Sequence, residues 1–297
     1  MIKAKKIDSI SIIIPCYNES IEVLNDTISV IHKTLERKGL KFEIIVVNDG
    51  SIEDILETDL DVSVNLLTHD TNKGYGSSLK TGIKNAEYDW IGITDADGTY
   101  PNHLFGELID RAEGMDMVIG ARKWADISWT RKIPKKILTS FASFLSGEEI
   151  PDLNSGMRIF KKDLAAQFWN LLPKGFSFTS TITLGALTND NEVAFYEINY
   201  FKRIGKSSIS PIQDTIVFFT LVTRLALYFN PKKVFVPTSI IFMLLAVLRG
   251  VRDYRLEGSL GGLCLILFFF SFQFFFFGLI AEIINKTRRF IVSNKNI

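Results

Sequence analysis

Trp90-Ile-Gly-Ile-Thr-Asp-Ala-Asp-Gly-Thr-Tyr-Pro101 is a short apolar run that ends in two carboxylates and a Gly/Pro turn. Trp90 to Thr94 has the length and apolar content of a buried strand, and Gly98 and Pro101 mark where it stops. Asp95 and Asp97, one residue apart where strand gives way to turn, can both reach one hard divalent cation. Mg²⁺ or Mn²⁺ held by one or two carboxylates usually completes its shell with phosphate oxygens. On spacing alone the same pair also reads as a solvated turn or a helix cap, so the neighbouring segments decide.

Outward from this stretch, short apolar runs alternate with helical patterns. Ile10 to Ile14, Phe42 to Val47, Val62 to Thr68 and Met115 to Gly120 read as further buried strands, and Ile21 to Arg37, Gly76 to Ala86 and Pro101 to Ala112 as helices. This alternation predicts an α/β domain with a mostly parallel sheet and a ligand site at the carboxyl ends of its strands. The polar signals sit at those ends. The first strand runs into Pro15-Cys-Tyr-Asn-Glu19, the second into Asn48-Asp-Gly-Ser51 and the fourth into Asp95-Ala-Asp97. Each alone is compatible with plain turn chemistry, but together they line carboxylates along one sheet edge. Asn72-Lys-Gly-Tyr-Gly-Ser77 precedes a helix, so its backbone amides and Lys73 can face an anionic group.

The whole chain of 297 residues has room for one or two domains, and its net charge of +1 gives no reason to invoke nucleic acid. Its two cysteines, Cys16 and Cys264, supply neither a disulfide framework nor a Cys-rich zinc site, as suits a reducing compartment. Met1 to Asp8 holds basic residues but no long apolar stretch, which predicts no cleavable signal and a cytosolic N-terminal part. Many of the 24 phenylalanines lie in the last third, where Leu263 to Ile284 reads LCLILFFFSFQFFFFGLIAEII. That run exceeds the roughly 20 residues of a membrane span. Val234 to Leu248 is shorter and interrupted by Pro237, and with a partner span it predicts a helical hairpin. Lys232 and Lys233 before the first span, and Lys286, Arg288 and Arg289 after the second, place both termini in the cytoplasm. The connecting loop dilutes this signal with Arg249, Arg252 and Arg255 against Asp253 and Glu257. Thr215 to Phe229, which contains Arg224, reads as an amphipathic helix at the membrane interface. The expected division is a cytosolic domain over 1–210, an interfacial helix over 211–230 and a hairpin over 231–297, with spans about 234–250 and 259–284.

The order Pro15-x-x-Asn18-Glu19, Val47-Asn-Asp-Gly-Ser51, Asn72-Lys-Gly-x-Gly76, Asp95-x-Asp97 and Asn154-Ser-Gly-x-Arg158 resembles the family-2 nucleotide-sugar glycosyltransferases of GT-A fold. Within them it is most similar to the polyprenyl-phosphate glycosyltransferases, the dolichol-phosphate mannose synthase and bactoprenol glucosyl transferase type. The resemblance covers roughly residues 8 to 210, and the C-terminal hairpin matches the membrane-anchored branch of that family. It implies a Rossmann-like sheet and inverting sugar transfer from a UDP- or GDP-linked donor to a polyprenyl phosphate at the cytosolic face of a membrane such as the bacterial inner membrane. It also implies a divalent metal, Mg²⁺ or Mn²⁺, on Asp95 and Asp97, and leaves room for a homo-oligomer.

Residue by residue, the resemblance implies Pro15, Tyr17, Glu19 and Asp49 around base and ribose, with Lys73 near the donor. Arg122 and Arg131 match basic positions near the lipid phosphate, and Arg203 and Lys206 fall in the basic loop Lys202-Arg-Ile-Gly-Lys-Ser207 that closes over donor and acceptor phosphates. Asp152 corresponds to a carboxylate that acts as a base or orients the acceptor, and orientation is the expectation here. Many polyprenyl-phosphate members carry Leu-Gln after the Asp-x-Asp, where this chain has Gly98-Thr99. From residue 122 to 136, Arg122, Lys123, Arg131, Lys132, Lys135 and Lys136 face only Asp126, and the segment continues into Ile137-Leu138 and Phe141 to Leu145. This reads as a basic amphipathic helix suited to an anionic membrane surface. Two other readings stay open, a membrane glycosyltransferase with a polysaccharide or glycolipid acceptor and a non-catalytic nucleotide-sugar-binding scaffold.

Overall fold

The structure, a computed structural model, describes residues 7–53, 55–123, 129–175, 177–201, 220–221, 223–224 and 227–294, with the side chains of 129–135 and 288–294 outside that description. Two compact units divide the chain, one formed by residues 1–143 and 148–211, the other by 144–147 and 212–297.

The first unit is built on a seven-stranded sheet. Its strands are β1 (Ser9–Cys16), β2 (Lys41–Asn48), β3 (Asn65–Thr68), β4 (Trp90–Ile93), β5 (Met117–Arg122), β6 (Arg158–Lys161) and β7 (Val193–Ile198), in the order β3-β2-β1-β4-β6-β5-β7. β1 pairs in parallel with β2 and β4, β2 with β3, and β5 with β7, whereas β6 runs antiparallel between β4 and β5. The mostly parallel α/β sheet is therefore as expected, and all five expected strands are present. β3 starts later than expected because Val62 lies in a bend and Ser63 and Val64 are not paired in the sheet, while β6 and β7 had no counterpart in the sequence reading.

Helices cover both faces. α1 (Ile21–Arg37) begins at Ser20, whose hydroxyl accepts from the Val23 amide, and it buries Leu24, Ile28, Ile31 and Leu35 at helical spacing. Those side chains pack with Ile10, Ile12, Ile14, Ile44 and Val46 from one sheet face. On the other face Ile13, Ile45, Val47, Ile91 and Ile93 pack with Leu79 and Ile83 of α2 (Tyr75–Asn85) and with Phe178 and Ile182. Both sheet faces are covered, which explains why β1, β2 and β4 read as continuous apolar runs rather than alternating ones. The expected helix over Pro101 to Ala112 is a single 3₁₀ turn, Asn102–Leu104, followed by α3 (Phe105–Asp110). Further along come α4 (Trp129–Ser146), α5 (Lys162–Gln167) and α6 (Phe178–Leu187).

α2 starts under a tight constraint. Gly74 caps it at φ 94°, the Ser77 amide donates to the Lys174 carbonyl at 2.9 Å, and Gly76 lies directly against the backbone of Pro173, Lys174 and Gly175. A Cβ at Gly76 would sit 2.8 Å from the Gly175 oxygen and 2.9 Å from the Lys174 carbonyl carbon, atoms that no rotamer change can move. Gly76→Ala is therefore expected to destabilise the unit by about 1–3 kcal/mol, the usual cost of overpacking. Thermal unfolding of the detergent-solubilised variant measures it.

The second unit contains α7 (Lys232–Glu257) and α8 (Gly262–Asn294). Lys232–Glu257 and Gly262–Thr287, with mean hydropathies of 2.1 and 2.5, are each long and apolar enough to cross a membrane. The helices lie against each other through small residues and rings. The Ser271 hydroxyl donates to the Ser239 carbonyl at 2.9 Å, Phe242 stacks on Phe274 at 5.2 Å, and Gly278 packs on Phe235. The first helix is longer than the expected span because its charged end remains helical. Arg249 and Asp253, four residues apart, pair at 2.9 Å, and Asp253 is buried against Gly261. The residues expected in a connecting loop therefore form the last turns of α7, and only Gly258 to Gly261 separates the helices. The expected interfacial helix falls mostly outside the described residues.

Candidate active site

β1, β2, β4 and β5 run in parallel and end at one edge of the sheet, which carries Pro15 to Glu19, Asn48 to Ser51, Asp95 to Asp97 and Arg122 to that edge. β6 is antiparallel and begins there, with Arg158 paired to Ile93, so the preceding loop of Asp152 to Gly156 arrives at the same edge.

The first two loops are laced together. Asn18 adopts φ 54°, its side-chain carbonyl accepts from the Ile52 amide at 2.9 Å, and its own amide donates to the Ser51 hydroxyl at 3.0 Å. Tyr17 stays exposed at this rim, and Pro15 and Glu19 are half-buried. Cys16, between them, is buried, and burial pushes its thiol up to about 11, which keeps it unreactive.

Asp49 is 3% exposed. Its two carboxylate oxygens accept from the backbone amides of Lys73 at 2.9 Å and Gly74 at 2.8 Å, and one of them meets His69 Nδ1 at 2.7 Å. The other ring nitrogen of His69 lies 2.8 Å from the Thr81 hydroxyl. The glycine-rich loop thus cradles an anion, as its sequence suggested, but for the Lys73 and Gly74 amides that anion is the protein's own Asp49. A carboxylate brought within reach by the β2–β3 pairing outcompetes solvent for those two amides. The Lys73 side chain is exposed.

Asp95 and Asp97 emerge from β4, Asp95 half-buried and Asp97 9% exposed. The Tyr75 hydroxyl donates to Asp95 Oδ1 at 3.1 Å. Burial, reinforced by the Asp95 charge, raises the Tyr75 phenol well above its ordinary value. Gly156 lies against the Asp95 carboxylate, where a Cβ would fall 2.8 Å from Oδ1 and fill the space around it. The Thr99 hydroxyl donates to Asp97 Oδ1 at 2.6 Å, and the Thr99 amide adds a second bond at 3.2 Å. Among the described residues no group of three His, Cys, Asp or Glu side chains could hold a metal. A hard cation of the Mg²⁺ or Mn²⁺ kind fits this pair nonetheless, because such ions take one or two carboxylates and complete their shell with substrate phosphates and water.

Beside the carboxylate pair stands a buried ion pair. Arg122 Nε donates to Asp152 Oδ2 at 2.7 Å and Nη2 to Oδ1 at 3.1 Å, a two-pronged contact in which Asp152 is fully buried and Arg122 is 15% exposed. Asp152 also accepts from the Arg122 and Asn154 amides. Burial works against the Arg122 charge, but Tyr100 and Asp152 outweigh it and hold the guanidinium above its ordinary value. The guanidinium lies 5.1 Å over the Tyr200 ring, and Tyr200 meets Tyr100 edge to face at 5.2 Å. The Tyr100 hydroxyl accepts from the Gly156 amide at 2.7 Å, so one side chain ties the Asp95 turn to the Asp152 loop. Behind that loop Arg158 is fully buried, donating to the Ser155 and Thr179 carbonyls and to the Thr183 hydroxyl at 2.7 Å, and burial pushes it down to about 10.

The structure therefore brings together Asp49, Lys73, Asp95, Asp97, Arg122 and Asp152 at one edge, with Pro15, Tyr17 and Glu19 on its rim. The Arg131 side chain, Arg203 and Lys206 lie outside the described residues. His69, Tyr75, Thr99, Tyr100 and Tyr200 also belong to the site, and none was given a role from sequence, Thr99 being noted only as a departure from the related Leu-Gln. Of these only Thr99 left a local signal, an Asp followed two residues later by Thr in a turn.

The chain is similar to known glycosyltransferases. The chain is 25% identical over 298 residues to undecaprenyl-phosphate 4-deoxy-4-formamido-L-arabinose transferase of Proteus mirabilis, covering 95% of this chain and 90% of that protein. It is also 25% identical over 214 residues to the low-salt glycan biosynthesis hexosyltransferase Agl6 of Haloferax volcanii, covering 69% of this chain and 51% of that one. Among solved structures, glucosyl-3-phosphoglycerate synthase of Mycobacterium tuberculosis in complex with Mn²⁺ and UDP-glucose superposes with a TM-score of 0.56 at 18% identity. The superposition covers 74% of this chain and 79% of that one, which establishes a shared fold. Residues 230–287 match the family described as GtrB C-terminal hairpin. Residues 11–169, more than half of the chain and the part that carries the Asp95–Asp97 turn, match the family described as Glycosyl transferase family 2, and the chain belongs to that family of glycosyltransferases.

Proposed function

We propose that this glycosyltransferase moves a sugar from a UDP- or GDP-linked donor to a polyprenyl phosphate, inverting the anomeric centre, at the cytosolic face of the membrane. One observation carries the reading: the Asp95–Asp97 pair and the Arg122–Asp152 pair share one sheet edge, in a chain that also holds a hairpin long enough to cross a bilayer. The arrangement offers carboxylates suited to a cation-bound diphosphate and, beside them, a guanidinium suited to a second phosphate.

Pro15, Tyr17 and Glu19 frame the nucleoside, and Asp49 contributes by shaping the glycine-rich loop beneath it. A divalent cation held by Asp95 and Asp97 would neutralise the charge that grows on the departing nucleoside diphosphate. Arg122 orients the acceptor phosphate, and Arg131, Arg203 and Lys206 supply further positive charge from the basic segments. A phosphate monoester has a second pKa of about 6 and is already largely dianionic at neutral pH, so its oxygen attacks without a strong base. The catalytic task is then to hold two anions in line, and Asp152 serves it by locking the Arg122 guanidinium. The relative from Proteus mirabilis is named for an undecaprenyl-phosphate acceptor, which favours a lipid phosphate over a polysaccharide. The basic residues at the ends of α7 and α8 support both termini on the cytoplasmic side.

Membranes carrying the full chain, incubated with labelled UDP- or GDP-sugars and polyprenyl phosphate, are expected to move label into organic-extractable lipid, and EDTA is expected to stop it. Label that enters only a polysaccharide would refute the acceptor. Transfer unaffected by EDTA would refute the metal.

A further inference from the structure

The two carboxylates of the Asp95–Asp97 turn are each held by a hydroxyl. Tyr75 OH donates to Asp95 Oδ1 at 3.1 Å, and Thr99 Oγ1 donates to Asp97 Oδ1 at 2.6 Å. The hydroxyls have different origins. Tyr75 opens α2 and follows the glycine-rich loop whose Lys73 and Gly74 amides are clasped by Asp49, whereas Thr99 belongs to the carboxylates' own turn. Thr99 is fully buried and its carbonyl accepts from the Phe201 amide at 2.9 Å, while Tyr75 is half-buried and packs against the sheet core.

A carboxylate on a short side chain rotates about its last bond, and a cation bound by two of them needs both planes set at once. Hydroxyl bonds to Oδ1 of each carboxylate, joined at Asp97 by the Thr99 amide, help set those planes before any ion arrives. Outer partners of this kind commonly change metal affinity by about 10–100-fold when removed. Gly156 leaves the Asp95 carboxylate the space it occupies, and the Tyr75 hydroxyl bonds it in that space.

We propose that Tyr75 and Thr99 are positioning residues that set the affinity of this turn for a divalent cation, and that Tyr75 couples that affinity to the glycine-rich donor loop. The inference rests on the donor-site reading above. Coupling follows from the backbone: nucleotide held on the loop of Asn72 to Ser77 restrains Tyr75, which restrains Asp95, and the effect of nucleotide on cation must equal that of cation on nucleotide.

The test is Mn²⁺ titration calorimetry on the full chain in detergent, with and without saturating UDP, for the wild type and for Tyr75→Phe, Thr99→Val and Thr99→Ser. Tyr75→Phe is expected to weaken Mn²⁺ binding about tenfold or more and to shrink the gain that UDP confers. Thr99→Val is expected to weaken it to a similar degree, Thr99→Ser to restore it, and excess Mn²⁺ to recover turnover in Tyr75→Phe. Thermal unfolding without metal is expected to stay close to wild type in Tyr75→Phe, which separates positioning from general damage. Equal Mn²⁺ affinity in the wild type, Tyr75→Phe and Thr99→Val would overturn this inference and leave the donor site standing. Absence of Mn²⁺ binding to the wild type with UDP present would overturn both.

Discussion

Asp97→Asn is expected to lower kcat by about 10³-fold while the protein stays folded. The substitution keeps the shape of the side chain, and its remaining carbonyl oxygen can still accept the bonds from the Thr99 hydroxyl and amide. What disappears is a negative charge at a position 9% exposed, where a hard cation and a diphosphate would meet. Charge stabilisation in a site shielded from water is worth far more than in solvent, and loss of a single such group commonly costs about 10²–10³-fold in kcat. Turnover under saturating donor, acceptor and Mn²⁺, set beside Mn²⁺ titration and thermal unfolding, measures it. A variant that keeps more than about a tenth of wild-type kcat would remove Asp97 from the metal-diphosphate site.

The second large effect concerns Asp152. Asp152→Ala strands the Arg122 guanidinium, which is 15% exposed, next to an empty partner position, and breaking a buried ion pair on one side typically costs about 3–5 kcal/mol. Asp152→Asn keeps one acceptor oxygen for Arg122 and is expected to unfold at a lower temperature yet retain measurable turnover. The distinction tests the chemistry. Both Asp152 oxygens accept from Arg122, at 2.7 and 3.1 Å, and a carboxylate held in this way is placed to orient rather than to remove a proton. Full loss of turnover in Asp152→Asn, with folding and acceptor binding intact, would make Asp152 the base. A double-mutant cycle with Arg122→Ala isolates the coupling between the two side chains.

Much of the fold was legible because it is written locally. β1 and β2 are apolar throughout, α1 repeats its buried residues at helical spacing, and Asp95-Ala-Asp97 stands where an apolar run stops. β6 was not legible. It has four residues, RIFK, and opens with an arginine that reads as a surface residue but is fully buried among carbonyl and hydroxyl oxygens. β7, VAFYEI, is half-buried for most of its length and carries neither strict alternation nor a continuous apolar signal. The charged end of α7 was misread as a loop for a related reason: the Arg249–Asp253 pair lies within one helix, but the burial of Asp253 against Gly261 depends on the return of α8.

Legible along the chain were the mostly parallel run of strands alternating with helices, the acidic turn after β4, the set of motifs that marks the family and the pair of apolar helices. Each follows from neighbours along the chain, through side-chain periodicity, turn chemistry or the length needed to cross a bilayer. What those motifs touch depends on how the strands are paired. Running β6 antiparallel between β4 and β5 delivers the Asp152 loop to the edge that holds Asp95 and sets Tyr100 against Gly156. Pairing β2 with β3 carries Asn48 opposite Thr68, so that the adjoining Asp49 meets His69 and the amides of Lys73 and Gly74. These contacts join residues about 20 to 60 positions apart, and strand register, which no local pattern encodes, selects them.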